Sequence, residues 1–323
     1  MTPTVSLASM RRAVLSAVLI AGVLAIVVAH AQQGAQQGPA GSGGLNAPPS
    51  AEALQIEKLA DNLFVLRGGG GNTAAFITSA GVTLVDTKVS GWGQPMLTRL
   101  KTLTDKPVTT IVNTHAHFDH VNGNAELPSV EIVTHQNTKA SMEDWKPVHG
   151  FPGDASTPFK VNGGKGLPTR TFTDRLSLGS GSDRVDLHYY GRAHTGGDAY
   201  VVFTAARVMH AGDTFPNKTT PIMDRNNGGS GLSYSGTLAK AAATPNVDRV
   251  ITGHGATLPV ADLKEYSAFI GDLVKAVQDA KRAGRTLDEV VNTWKVPARY
   301  MGYTQPQPAS LRANVQVIWD ETR

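Results

Sequence analysis

Short apolar, β-branched runs recur along this chain between clusters of Gly, Asp and Pro. They fall at residues 63–66, 74–78, 82–85, 108–112 and 130–133, and again at 185–190, 200–204, 208–210 and 250–252. Runs of that length bounded by turn formers predict strands. Between the third and fourth runs, residues 94–103 place Met96, Leu97, Leu100 and Leu103 at helical spacing. Farther on, Ile270, Leu273, Val274 and Val277 share one helical face, with Lys281 and Arg282 in the last turn and Gly284 as the stop. Thr286 and Glu289 have capping-box spacing and open another short helix. Strands supplied by both halves, with helices between and after them, predict an α/β sandwich. The helices from about residue 261 onward are read as packing elements.

The start of the chain is patterned differently. Arg11 and Arg12 precede an uncharged apolar run over residues 13–29, closed by Ala29-His30-Ala31. A charged start, an apolar stretch and a small-residue cleavage site are the marks of a secretory signal peptide. The run approaches the length of a bilayer span, so an uncleaved anchor is the competing reading. The small-residue site favours cleavage after Ala31. Residues 32–50, rich in Gln, Gly, Ala and Pro, offer too little apolar surface to fold and read as a flexible tether. The expected organisation is a signal peptide at 1–31, a linker at 32–50 and one folded domain at 51–323, in a periplasmic or secreted protein.

Composition narrows the chemistry. The formal net charge is +4, and loss of Arg11 and Arg12 with the leader leaves the mature chain nearly neutral. No segment interleaves dense Lys and Arg with aromatics, which argues against nucleic acid as a partner. A small-molecule substrate is expected instead, with no stable membrane insertion once the leader is removed. The chain has no cysteine, so any tight metal site must use imidazole and carboxylate.

The ten histidines are informative through their placement. The fourth run leads into His115-Ala116-His117-Phe118-Asp119-His120, the 185–190 run leads to His194, the 208–210 run to Asp213 and the 250–252 run to His254. Groups at strand ends are held by a rigid sheet while pointing into a loop-lined cleft, as a metal site requires. His115 and His117 are two apart and point the same way in extended chain, and Asp119 and His120 follow where the chain bends toward helix. One metal cannot take all four. With His194 completing a three-imidazole site and Asp119, His120 and His254 forming another, the set divides in two, each part leaving room for water, and Asp213 is the carboxylate to bridge them. Such ligands suit zinc, and would also hold iron or manganese.

These residues resemble the metallo-β-lactamase superfamily of HxHxDH zinc hydrolases. The motifs are Asp86 in Leu84-Val85-Asp86-Thr87, the Thr114 to His120 segment, His194-Thr195-Gly196-Gly197-Asp198, Gly212-Asp213 and Gly253-His254-Gly255, all in the family's order. The resemblance implies a four-layered αββα sandwich holding two Zn2+ per chain. His115, His117 and His194 would hold the first zinc, Asp119, His120 and His254 the second, and Asp213 would bridge both. Asp86 would orient a metal-bound imidazole. It implies hydrolysis of an ester, thioester, lactone or amide by metal-activated hydroxide, with Asp119 as the catalytic residue that orients that hydroxide or relays its proton. In motif style the chain is closest to glyoxalase II-like and lactonase-like members and to β-lactamase-like ones. Asp213 stands where true metallo-β-lactamases usually carry Cys or Ser, which weakens the β-lactam reading, whereas the export signal supports it. An iron-binding redox or metal-sequestering protein is the rival from another class, and Ala116 and Phe118 disfavour its oxygen-reducing form.

Other features have plainer readings. The run Gly68-Gly69-Gly70-Gly71 lacks the Gly-Lys-Ser/Thr of a phosphate loop and is expected as a flexible lid or a plain turn. Trp92 would line the substrate cleft or plug a packing gap. Lys218, with Asn217, would bind a substrate carboxylate or oxyanion. His135, His149, His188 and His210 have no place among the ligands.

Overall fold

The central strands bury residues on both faces because each sheet is covered on both sides. The computed structural model describes residues 48–151 and 158–323. The leader and nearly all of the tether lie outside the described residues, among which no helix is long and apolar enough to cross a membrane.

The first sheet runs β1 (Gln55–Ala60), β2 (Leu63–Arg67), β3 (Thr73–Ile77), β4 (Val82–Val85), β5 (Val108–Val112), β6 (Glu131–His135) and β7 (Arg170–Phe172), paired in that order. Its pairs are antiparallel up to β4 and parallel from there on. The second sheet comprises β8 (Arg175–Leu178), β9 (Val185–Tyr189), β10 (Ala199–Phe203), β11 (Val208–His210), β12 (Arg249–Ile251) and β13 (Leu258–Pro259). There, β11 and β12 are parallel and the other pairs antiparallel.

Period-two alternation distributes the side chains. Ala74, Phe76, Val85 and Val112 from the first sheet meet Leu187, Val201, Phe203 and Ile251 from the second in one buried cluster. Ala75, Leu84 and Ile111 point the other way, onto Met96 and Leu100 of α1 (Gly93–Leu100). Tyr200, Met209 and Val250 point outward from the second sheet. There they meet α4 (Gly231–Ala242), α5 (Val260–Arg282) and α7 (Pro308–Glu321). The layers are therefore helix, sheet, sheet, helix. Two short helices, α2 (Phe118–Val121) and α3 (Gln136–Glu143), follow β5 and β6.

The expected helix around Leu273 is longer than its core stripe, since Leu263, Tyr266 and Phe269 extend the buried face toward its start. It ends as expected, with Gly284 at φ +73°. The capping box of Thr286 and Glu289 opens α6 (Leu287–Thr293), with both reciprocal hydrogen bonds formed.

Candidate metal centre

Strand direction gathers the polar residues. β4 and β5 are parallel, as are β11 and β12, and β9 runs in the sense of β11 because each is antiparallel to β10. The chain leaving β4, β5, β9, β11 and β12 therefore emerges along one edge of the sandwich, carrying Asp86, the His115 to His120 segment, His194, Asp213 and His254.

All seven expected ligands meet there, in two groups. Donor atoms of His115, His117, His194 and Asp213 lie within 4.8 Å of one another, and so do those of Asp119, His120 and His254. Asp213 stands between the groups: its Oδ2 is 3.9 Å from His194 Nε2 and 3.1 Å from His254 Nε2, and its Oδ1 is 3.2 Å from His120 Nε2. Asp119 Oδ2 is 3.2 Å from His254 Nε2 and 3.7 Å from His120 Nε2.

Four of the five imidazoles have the outward ring nitrogen engaged, which fixes the way each of those rings faces. His120 Nδ1 donates to Asp86 Oδ2 at 2.7 Å, His117 Nε2 to Asp224 Oδ2 at 2.9 Å and His194 Nδ1 to the Ile222 carbonyl at 2.6 Å. The Thr114 hydroxyl spends its proton on Asp86 Oδ2 at 2.7 Å, so it accepts from His115 Nδ1 at 3.0 Å. Each of these four rings thus turns its other nitrogen toward the cluster. Asp86 takes the place expected of it and also accepts from Thr114 N at 2.8 Å. It does so at φ +65°, a strained conformation for a residue with a Cβ that costs about 1–3 kcal/mol.

Asp224 is the residue the sequence reading missed. It is fully buried and also accepts from His149 N, Asn226 N and Asn227 Nδ2. Its only sequence signal is an acid in the apolar Pro221-Ile222-Met223 context, which no spacing rule links to His117. Asp224→Asn should weaken metal binding at the His117 group by ~10–100-fold, and Asp86→Asn should do the same at the His120 group and also reach His115 through Thr114. Site-resolved metal titration checks the pairing, and a loss at the His120 group in Asp224→Asn would contradict it.

The electrostatics favour cations. Burial and the neighbouring imidazoles hold His115 well below its ordinary range, and burial, then His117, bring His194 down to about 4. Burial opposes protonation of His120 and His254 too, but Asp213 and Asp119 override it, raising His120 well above the usual range and His254 to about 10. Burial likewise opposes ionisation of Asp119 and Asp213. The two imidazoles outweigh it, holding Asp119 at about 2 and Asp213 well below a normal carboxylate. Protons on His120 and His254 thus balance the carboxylates where positive charge is wanted. His115 Nε2, fully buried, has no hydrogen-bond partner in the protein. Orphaned acceptors of this kind cost about 1–3 kcal/mol each unless something fills the gap, and the donor set fits divalent metal.

The remaining expectations are placed as follows. Trp92 is 2 % exposed and packs with Leu66 and Met96, its ring filling the space where a Cβ on Gly69 would lie. It is a plug beneath the site. Lys218 Nζ is paired with Asp262 at 2.8 Å, so its charge is already matched, and Asn217 lies against Gly255. The glycine run is neither lid nor plain turn. Gly68, Gly69 and Gly70 take positive φ, and a Cβ at Gly70 or Gly71 would collide with Asp119 or the His120 ring. The run is a packed floor under the second group, with only glycine able to approach so closely. His210, outside the cluster, donates from Nε2 to the Asn72 carbonyl.

The fold and this cluster agree with the comparisons. The model of the metallo-beta-lactamase superfamily matches residues 66–254, over half the chain, and the chain belongs to that superfamily. Among solved structures it is similar to the DIM-1 metallo-beta-lactamase, at 19 % identity and TM-score 0.54 over 68 % of this chain and 97 % of the other. It is similar to a metallo-beta-lactamase from Pontibacter korlensis, at 18 % identity and TM-score 0.53 over 68 % and 99 %. It also resembles the stereoselective inverting sec-alkylsulfatase Pisa1 from Pseudomonas sp., at 15 % identity and TM-score 0.59, over 85 % of this chain and 53 % of that one. No curated protein matches the chain.

Proposed function

We propose that this protein is an exported hydrolase that holds two zinc ions and cleaves an ester, thioester, lactone or amide bond. The observation that carries the reading is Asp213, whose two oxygens reach both donor groups. His115, His117 and His194 would hold one ion, Asp119, His120 and His254 the other, with Asp213 shared. When bound, the ions lower the pKa of a water and polarise the scissile carbonyl.

The chain's own residues define the side on which reaction occurs. The side chains of His117 and His194 are 4 % and 1 % exposed, whereas that of His254 is 36 % exposed and that of Asp119 11 %. Substrate approaches over His254. Asp119 is the carboxylate beside that opening, placed to orient the attacking water and take up its proton. Asp224, Asp86, Thr114 and the Ile222 carbonyl keep the imidazoles in register.

The test is metal analysis of the mature protein with a panel of thioester, lactone, aryl ester, β-lactam and alkyl sulfate substrates. Near two equivalents of zinc with turnover of a carbonyl substrate supports the reading. Iron with no esterase activity favours the redox or sequestering alternative. Turnover confined to the β-lactam makes the protein a lactamase despite Asp213, and turnover confined to the sulfate removes the carbonyl mechanism. Export is tested by intact mass: the secreted protein should begin near Gln32, and a membrane-bound form retaining residues 1–31 would establish the anchor instead.

A further inference from the structure

Lys88 is fully buried, two residues beyond Asp86, and holds φ +73°. A buried amino group requires acceptors for its N–H donors, and Lys88 has two backbone ones. Its Nζ donates to the Leu66 carbonyl at 2.8 Å and to the Gly71 carbonyl at 2.6 Å. These carbonyls stand at the two ends of the glycine-rich connection between β2 and β3, so one side chain ties that loop closed.

Among the loop's other contacts, those that reach the proposed ligands fall on one metal group. Gly71 N donates to the Asp119 carbonyl at 3.0 Å, and the Gly71 Cα faces the His120 ring so closely that a Cβ would lie 2.2 Å from it. Asn72 N donates to the Gly253 carbonyl at 2.7 Å, and its Nδ2 donates to the Thr252 and Gly255 carbonyls on either side of His254. Asp119, His120 and the His254 turn are therefore all braced by residues 70–72. No hydrogen bond joins those residues to His115, His117 or His194.

We propose that Lys88 is a positioning residue selective for the second metal site, acting by holding the glycine floor against Asp119, His120 and the His254 turn. The inference rests on the two-site reading above. Its chemistry requires the length and the N–H donors of the side chain, since no shorter group at position 88 spans from Leu66 to Gly71.

The experiment is a cobalt(II) titration of the metal-free full chain, followed by visible absorption, for wild type, Lys88→Met, Lys88→Arg and Val277→Ala. Val277→Ala truncates the core beneath the second sheet and reports what general destabilisation does. Lys88→Met should weaken the second site by ~10–100-fold while the first stays within about threefold, the size expected for loss of an outer support to metal ligands. Lys88→Arg should restore part of that loss. Amide exchange in the metal-free protein should quicken at Gly71 and Asn72 in Lys88→Met and not in Val277→Ala. If Lys88→Met fails to fold, Lys88→Gln carries the same comparison. Equal weakening of both sites, or none, overturns the assignment while leaving the two-site reading intact. A wild type that takes up a single ion overturns both.

Discussion

Removing metal from the purified protein should abolish turnover, and zinc should restore it. The expectation follows from the donor inventory. The cluster contains imidazoles and carboxylates, and the chain has no cysteine to act as a thiolate nucleophile. In the metal-free state His120 and His254 hold protons between Asp119 and Asp213, a charge-balanced arrangement with little capacity to activate water. The measurement is steady-state rate against free zinc after exhaustive chelation. Full activity in metal-free protein would end the hydrolytic proposal. Zinc uptake should also depend on pH, because the protons on His120 and His254 must leave before those nitrogens can bind. With both imidazoles raised above the ordinary value, affinity should rise as pH increases from neutrality.

Asp119→Asn should lower turnover by ~10²–10⁴-fold, the range for losing general acid–base assistance. The substitution keeps the shape of the side chain and removes its charge. The turn should survive, because the Gly70 and Gly71 contacts are to the Asp119 backbone. Zinc content, circular dichroism and kinetics on the best substrate would be measured on one preparation. The diagnostic pattern is native ellipticity, substantial zinc and a collapsed kcat. Near-normal turnover with two ions bound would leave Asp119 as a ligand only.

The parts legible from sequence were those encoded locally. Runs such as Val82–Val85 and Val108–Val112 are rich in β-branched residues, as strands of a largely buried sheet require, and they were bounded as observed. The ligands were legible because each follows such a run. Other elements carried weak local signals. β1 is partly exposed and reads as mixed sequence, and α4 is rich in Gly, Ser and Ala, with its helix visible only in the buried set Tyr234, Thr237, Leu238 and Ala241. What sequence could not show were the partners brought in from afar. Asp224 meets His117 across 107 positions, and Lys88 looks like any surface lysine until the fold closes over it. The glycine run was read as a flexible lid or a plain turn because permissive φ/ψ suits both a mobile turn and a tight approach, and only the neighbours distinguish them.

The placement of the donors on both sheets has a mechanical consequence. His117 and His194 are 77 positions apart and His120 and His254 are 134 apart, so an ion held by either pair cross-links distant stretches of backbone. In a protein without cysteine, coordinate bonds would supply the cross-links that disulfides cannot. An ion that binds the native state alone stabilises it by about 4.1 kcal/mol when present at 1,000 times its Kd. Loss of a bound ion would thus weaken the tie between the two sheets as well as empty the site.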